Sequence, residues 1–179
     1  MGKRSQTETA VLGALSVEPM SGYALRNAIQ EVLGHFWSES FGQIYPTLKR
    51  LQDEGLVERR GGDESPFTVT PAGLDRLRER LSESIQDSPP RNGLMLRLFF
   101  GRHLGPAACR VLIEDARSDA EARLGDFAAI RREIAADGDA TPDQPFFLLT
   151  VAAGEHAARA TIAWADEALD TIDAMTEES

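Results

Sequence analysis

Gln43, Lys49 and Arg50 are the residues of this sequence best suited to chemistry on another molecule. At 100° per residue they fall on one side of a helix whose other side holds Phe41, Ile44, Leu48 and Leu51. Glutamine can make two hydrogen bonds to adenine, and arginine or lysine can bond guanine or a phosphate. Thr47 and Tyr45 flank this side: Thr47 suits a phosphate or a thymine methyl, and Tyr45 can donate its hydroxyl to phosphate. The plain alternative is a solvated helix face, with Gln43 serving as a cap and the Tyr45 ring half-buried in helix packing.

Other candidates are sparser. Ser21, Gly22 and Tyr23 open a preceding helix, where backbone N–H groups can meet a phosphate; equally, Ser21 caps and Tyr23 packs. Lys3 and Arg4 suit a loose basic arm, although such termini are commonly disordered. Trp37 and Trp164 offer flat faces to an apolar effector, against the commoner role of large aromatics in a core. His35, His103 and His156 share no ligand spacing with acids or with Cys109, so no metal is expected and no cofactor is implied. No nucleophile, base and orienting acid stand in a recognisable motif, which argues against an enzyme.

The elements that would hold these residues follow from periodicity and punctuation. A first helix is expected over about Gln6 to Ser16, with Val11, Leu12 and Leu15 inward and Pro19 ending it. Ser21 caps a second helix carrying Leu25, Ile29, Val32 and Leu33, and Gly34 stops it. Ser40 to Gln43 forms a capping box for the third helix, which bends at Pro46 and closes at Gly55. Leu56–Arg60 and Phe67–Thr70 flank a turn-rich segment, hence a hairpin. Thr70-Pro71 starts a fourth helix with Leu74, Leu77 and Leu81 on one face. Asp87 to Gly93, DSPPRNG, is the clearest linker. Beyond it the chain reads as helix: a short apolar piece from Leu94 to His103, then Pro106 to about Ala136 with Ile113, Ala120, Phe127 and Ile134 on one side. After a loop over Asp137–Pro145 comes Phe146 to about Met175, with Trp164, Ala168 and Ile172 in register. Two long helices with one apolar stripe each need a partner to cover them.

The expected fold class is mainly α: a winged helix-turn-helix domain with a two-stranded β-wing (1–87), a linker (88–93) and a helical dimerisation and effector domain (94–179). One cysteine excludes a disulfide framework. No run approaches a membrane span and no cleavable signal stands out, so a cytoplasmic home is expected. The net charge of −10 opposes a nucleic-acid role for the chain taken whole. Residues 1–81, however, carry 10 basic and 11 acidic side chains, and residues 82–179 carry 9 and 18. The excess acid is concentrated in the second half, and charges more than about 8 Å from a local basic face are largely screened.

SGYALRNAIQE, the Phe36-Trp37 pair, FGQIYPTLKRLQDEGLV and FTVTPAGLDRL resemble the PadR family of bacterial transcriptional regulators over roughly residues 8–81. LMLRLFFG and AWADEAL resemble the virulence-activator-related C-terminal domain that accompanies many such proteins. The resemblance implies a homodimer, usually a repressor, that binds a pseudo-palindromic operator in double-stranded DNA and is released by a small-molecule effector. Family wings commonly carry basic tips. Here the tip is Gly61-Gly62-Asp63-Glu64-Ser65-Pro66, and Arg59 and Arg60 at the ribbon base are the residues left to reach the DNA backbone. The competing reading is a winged-helix protein-interaction module that does not bind DNA.

Overall fold

The computed structural model describes residues 2–34, 37, 41–59, 61, 65–84, 92–136 and 141–177, with backbone alone for 2–5, 32, 41 and 177. The chain forms two compact units, 1–88 and 89–179.

In the first unit α1 runs over Gly2–Val17, four residues further toward the N-terminus than expected, and ends before Pro19. α2 covers Gly22–Ala28 and continues as a π-helical turn over Ile29–Leu33. The Ser21 hydroxyl caps α2, accepting a hydrogen bond from Ala24 N–H at 3.1 Å. α3 spans Phe41–Asp53 and runs through Pro46, which removes one helical donor on the exposed side. Gly55 ends it at φ +71°, a left-handed conformation that costs glycine little. Leu56 N–H then reaches Leu51 C=O (2.9 Å) and Gly55 N–H reaches Gln52 C=O (3.0 Å), satisfying two terminal carbonyls.

That turn feeds β1 (Val57–Arg59), antiparallel to β2 (Phe67–Val69), with Val57 opposite Val69 and Arg59 opposite Phe67. Met20 and Phe67 exchange both backbone hydrogen bonds, tying the α1–α2 joint to the ribbon. Thr70 Oγ1 accepts from Gly73 N–H to cap α4, Pro71–Ser82. A Cβ on Gly73 would lie 2.1 Å from the Leu56 carbonyl oxygen, so only glycine lets α4 sit this close to the ribbon. Val11, Leu12, Leu25, Ile44, Leu51 and Val57 form the centre of one closed core.

In the second unit Asn92 caps α5 (Gly93–Phe99), its Oδ1 accepting from Leu94 and Met95 N–H. A 3-10 turn (Gly101–His103) leads to α6, Pro106–Ala136, and α7 covers Gln144–Glu177. α6 and α7 are antiparallel, as the ion pairs Arg110–Asp173, Arg117–Asp166 and Arg131–Glu155 require. Ile113, Ala120 and Phe127 on α6 and Val151, Ala158 and Ala165 on α7 are buried at intervals of seven residues, the spacing of a helix-pair seam. Gly154 makes room for the Phe127 ring: a Cβ there would lie 2.2 Å from it.

Some expectations fall outside the described residues. These are the Ser40 cap, His35, Phe36, Arg60, the wing-tip residues Gly62, Asp63 and Glu64, and most of the 88–93 linker; so do the side chains of Lys3, Arg4, Val32 and Phe41.

Candidate nucleic-acid interface

The side of α3 opposite Ile44, Leu48 and Leu51 presents Gln43, Pro46 and Lys49. The Lys49 side chain is 76% exposed and meets Asp53 at 3.4 Å, one turn on, an i,i+4 pair worth a few tenths of a kcal/mol. Tyr45 is half-exposed, and its ring carbon Cε1 stands 3.0 Å from where a Cβ on Gly22 would be. Gly22 is thus the contact that lets α2 and α3 close on each other, and the Tyr45 ring is partly packing, partly surface. Tyr23 is exposed, whereas the Ser21 hydroxyl is used as a cap.

Two residues of the sequence-derived set sit differently from Lys49. Thr47 is 9% exposed, so the flank position assigned to it is an inward one. Arg50 is turned along the protein: Nη2 donates to Glu8 Oε2 at 2.7 Å and Nη1 donates to Glu54 Oε1 at 2.9 Å. Arg59 lies over the Phe67 ring, its guanidinium carbon 4.0 Å from the centroid, so its stem and head follow the ribbon surface.

The sequence reading missed Glu8. It occupies the inward side of α1, four and seven residues before Leu12 and Leu15, and its side chain is 3% exposed. Besides Arg50, it accepts from Arg80 Nε at 3.0 Å and lies 3.7 Å from Arg76 Nη1. Burial pushes its carboxyl up, but hydrogen bonds from Arg50 and Arg80 outweigh that and hold it below the ordinary carboxylate value. The hydrogen bond to Glu8 likewise raises Arg50. The one available sequence signal was an acid in register with an apolar stripe.

The two tryptophans have different settings. Trp37 packs on the core of the first unit, with Nε1–H donating to Gln6 Oε1 at 3.5 Å. Trp164, in the second unit, borders an apolar cavity of about 610 Å³ with Cys109, Ile113, Ala168 and Ile172. Among the described residues no helix is long and apolar enough to cross a membrane.

Comparison with known proteins aligns with this division. Residues 11–79 match the model of the transcriptional regulator PadR-like family, and residues 90–173 match that of the virulence activator alpha C-terminal region. The negative transcriptional regulator PadR of Bacillus subtilis is 28% identical over 180 residues, covering 92% of this chain and 96% of that protein. Its crystal structure with operator DNA superposes with a TM-score of 0.76 at 26% identity, covering 92% of this chain and 98% of that one. Its structure with p-coumaric acid gives 0.76 at 27% identity, over 93% and 98%. A PadR-like transcriptional regulator of Bacillus cereus shares the fold, with a TM-score of 0.80 at 22% identity over 94% and 99%.

Proposed function

The chain belongs to the PadR family of transcriptional regulators, and from that premise we propose that it is a homodimeric repressor whose α3 enters a major groove in each half-site. The observation carrying this reading is the two-sidedness of α3. Ile44, Leu48 and Leu51 are buried while Gln43, Tyr45 and Lys49 project from the exposed side. Gln43 reads a base edge, Lys49 and Tyr45 meet base or phosphate, and Tyr23, Arg59 and Arg60 add backbone contacts. Thr47, which is buried, and Arg50, 41% exposed but paired with Glu8 and Glu54, are given no contact in this proposal.

The first unit is the DNA reader and the second the dimerisation and effector part. Two-fold symmetry then asks for half-sites about one helical turn apart, ~34 Å, or a multiple. The p-coumaric acid complex of the relative supports a small-molecule effector. The cavity beside Trp164 is its candidate seat, and Trp37, packed on the other unit's core, is not. We place the protein in the cytoplasm, where such a regulator meets its DNA.

Salt titration of a duplex selected by the full-length chain from a random pool tests this. Wild type should lose affinity linearly in log salt, and Lys49→Ala should weaken binding, with a slope smaller by about one unit per lost phosphate contact. The acidic balance of −10 favours the rival, a protein-interaction module. Salt-independent or absent binding to every duplex would select it.

A further inference from the structure

We propose that Glu8 is a positioning residue for the reading helix: by holding Arg50 against α1 it sets the angle at which α3 presents Gln43 and Lys49, and it withdraws Arg50 from DNA. This rests on the DNA-reading assignment of α3.

The arrangement is a hub. Glu8 lies on α1, Arg50 on α3, and Arg76 and Arg80 on α4, so one buried carboxylate connects three of the four helices that enclose the reading unit's core. Each arginine has a second carboxylate on or beside its own helix: Glu54 for Arg50 (2.9 Å), Glu79 for Arg76 (3.1 Å) and Glu83 for Arg80 (2.7 Å). Those local pairs orient each guanidinium lengthwise along its helix, leaving the remaining N–H groups for Glu8. A planar fork held at both ends has little freedom to swing outward to a phosphate. Lys49 is the contrast: next in sequence, held by a single exposed partner and largely in solvent.

The chemistry also says what Glu8 does beyond stabilising the fold. Apolar packing of Ile44, Leu48 and Leu51 fixes which side of α3 faces inward, but apolar contacts are non-directional and tolerate small rolls of the helix. A charge-assisted hydrogen bond of 2.7 Å from Arg50 to a carboxylate on α1 is directional and removes that roll. Burial makes the contact matter more, since a carboxylate out of water is stabilised only by the donors facing it. Base reading depends on such angular precision; phosphate attraction does not.

The test compares wild type, Glu8→Gln, Arg50→Ala, the double variant of those two and Lys49→Ala, at a temperature where thermal unfolding curves show each fully folded. Affinity is measured across a salt series for the selected duplex and for a random duplex of equal length. Glu8→Gln and Arg50→Ala should each lower the ratio of selected to random affinity by about tenfold, as loss of a base contact does. Both should leave the salt slope unchanged, and the double variant should be no worse than either single one. Lys49→Ala should instead flatten the slope. A flattened slope for Arg50→Ala, or an unaltered ratio in both variants, overturns the proposal while leaving the DNA-reading assignment standing. If Glu8→Gln does not fold, Arg50→Ala decides by the same two readouts. If wild type binds no duplex in a salt-dependent way, both fall.

Discussion

The two units solve the problem of a small core in opposite ways. In the first, a buried glutamate sits among arginines from two other helices, and apolar residues of all four helices and both strands meet in one core, although Leu81 near the end of α4 stays exposed. In the second, Glu155 on α7 plays a similar local part, accepting from Arg131 Nε at 2.9 Å and Nη2 at 3.1 Å, with Arg159 one turn further on at 3.6 Å. It connects only two helices. Around them Phe99, Phe100, Leu104, Val111, Phe146 and Leu149 stay exposed, Phe99 at 83%. A closed core can support a rigid reading surface without help. An open one is half of a larger core, and its exposed aromatics are the surface our proposed homodimer would cover.

That contrast can be broken or sharpened by substitution. The largest effect is expected in the closed core. Leu25→Ala, at a fully buried site, should cost about 2–5 kcal/mol in denaturant unfolding of the first unit's transition, with no dependence on protein concentration. A concentration-dependent loss would mean that the first unit, too, relies on a second copy.

Next comes the Glu8 hub. Glu8→Gln keeps every arginine supplied with its local carboxylate, so the expected loss is about 1–3 kcal/mol at neutral pH, the range for a hydrogen bond to a charged group. The native carboxyl is depressed below its unfolded value. Its contribution is therefore complete above the ordinary carboxylate range and disappears as pH falls through the lower native value. Wild type and variant should converge in stability on acidification. A gap that stays constant down to strongly acid pH would assign the loss to packing instead of charge.

The smallest change in chain stability belongs to the open surface. Phe146→Ser with Leu149→Ser alters exposed side chains, so each should shift the unfolding of an isolated chain by no more than about 0.5 kcal/mol. The same pair should raise the dimer dissociation constant, read by sedimentation equilibrium. An unchanged constant would move the dimer seam away from the start of α7.

Sequence legibility followed the same divide. The caps at Ser21 and Thr70, the stop at Gly55 and the stripes of Leu12–Leu15, Ile44–Leu51 and Ile113–Phe127 are local signals, and the elements formed where they pointed. The burial of Thr47 was not legible because helical angle alone does not say which neighbouring elements close over a flank position. The Arg50–Glu8 pair was not legible because the two residues lie 42 apart in sequence, and its cost and benefit depend on burial that no local pattern encodes.

By itself, then, the order of residues determined where helices start and stop, which side of α3 is apolar, and the family resemblance, because capping, glycine conformations and helical periodicity act within a few residues. Only the tertiary structure decided which polar side chains on that helix remain available. Packing brought Glu8, Arg50, Arg76 and Arg80 together, and once a carboxylate is shielded from water the nearest guanidinium groups are bound to it.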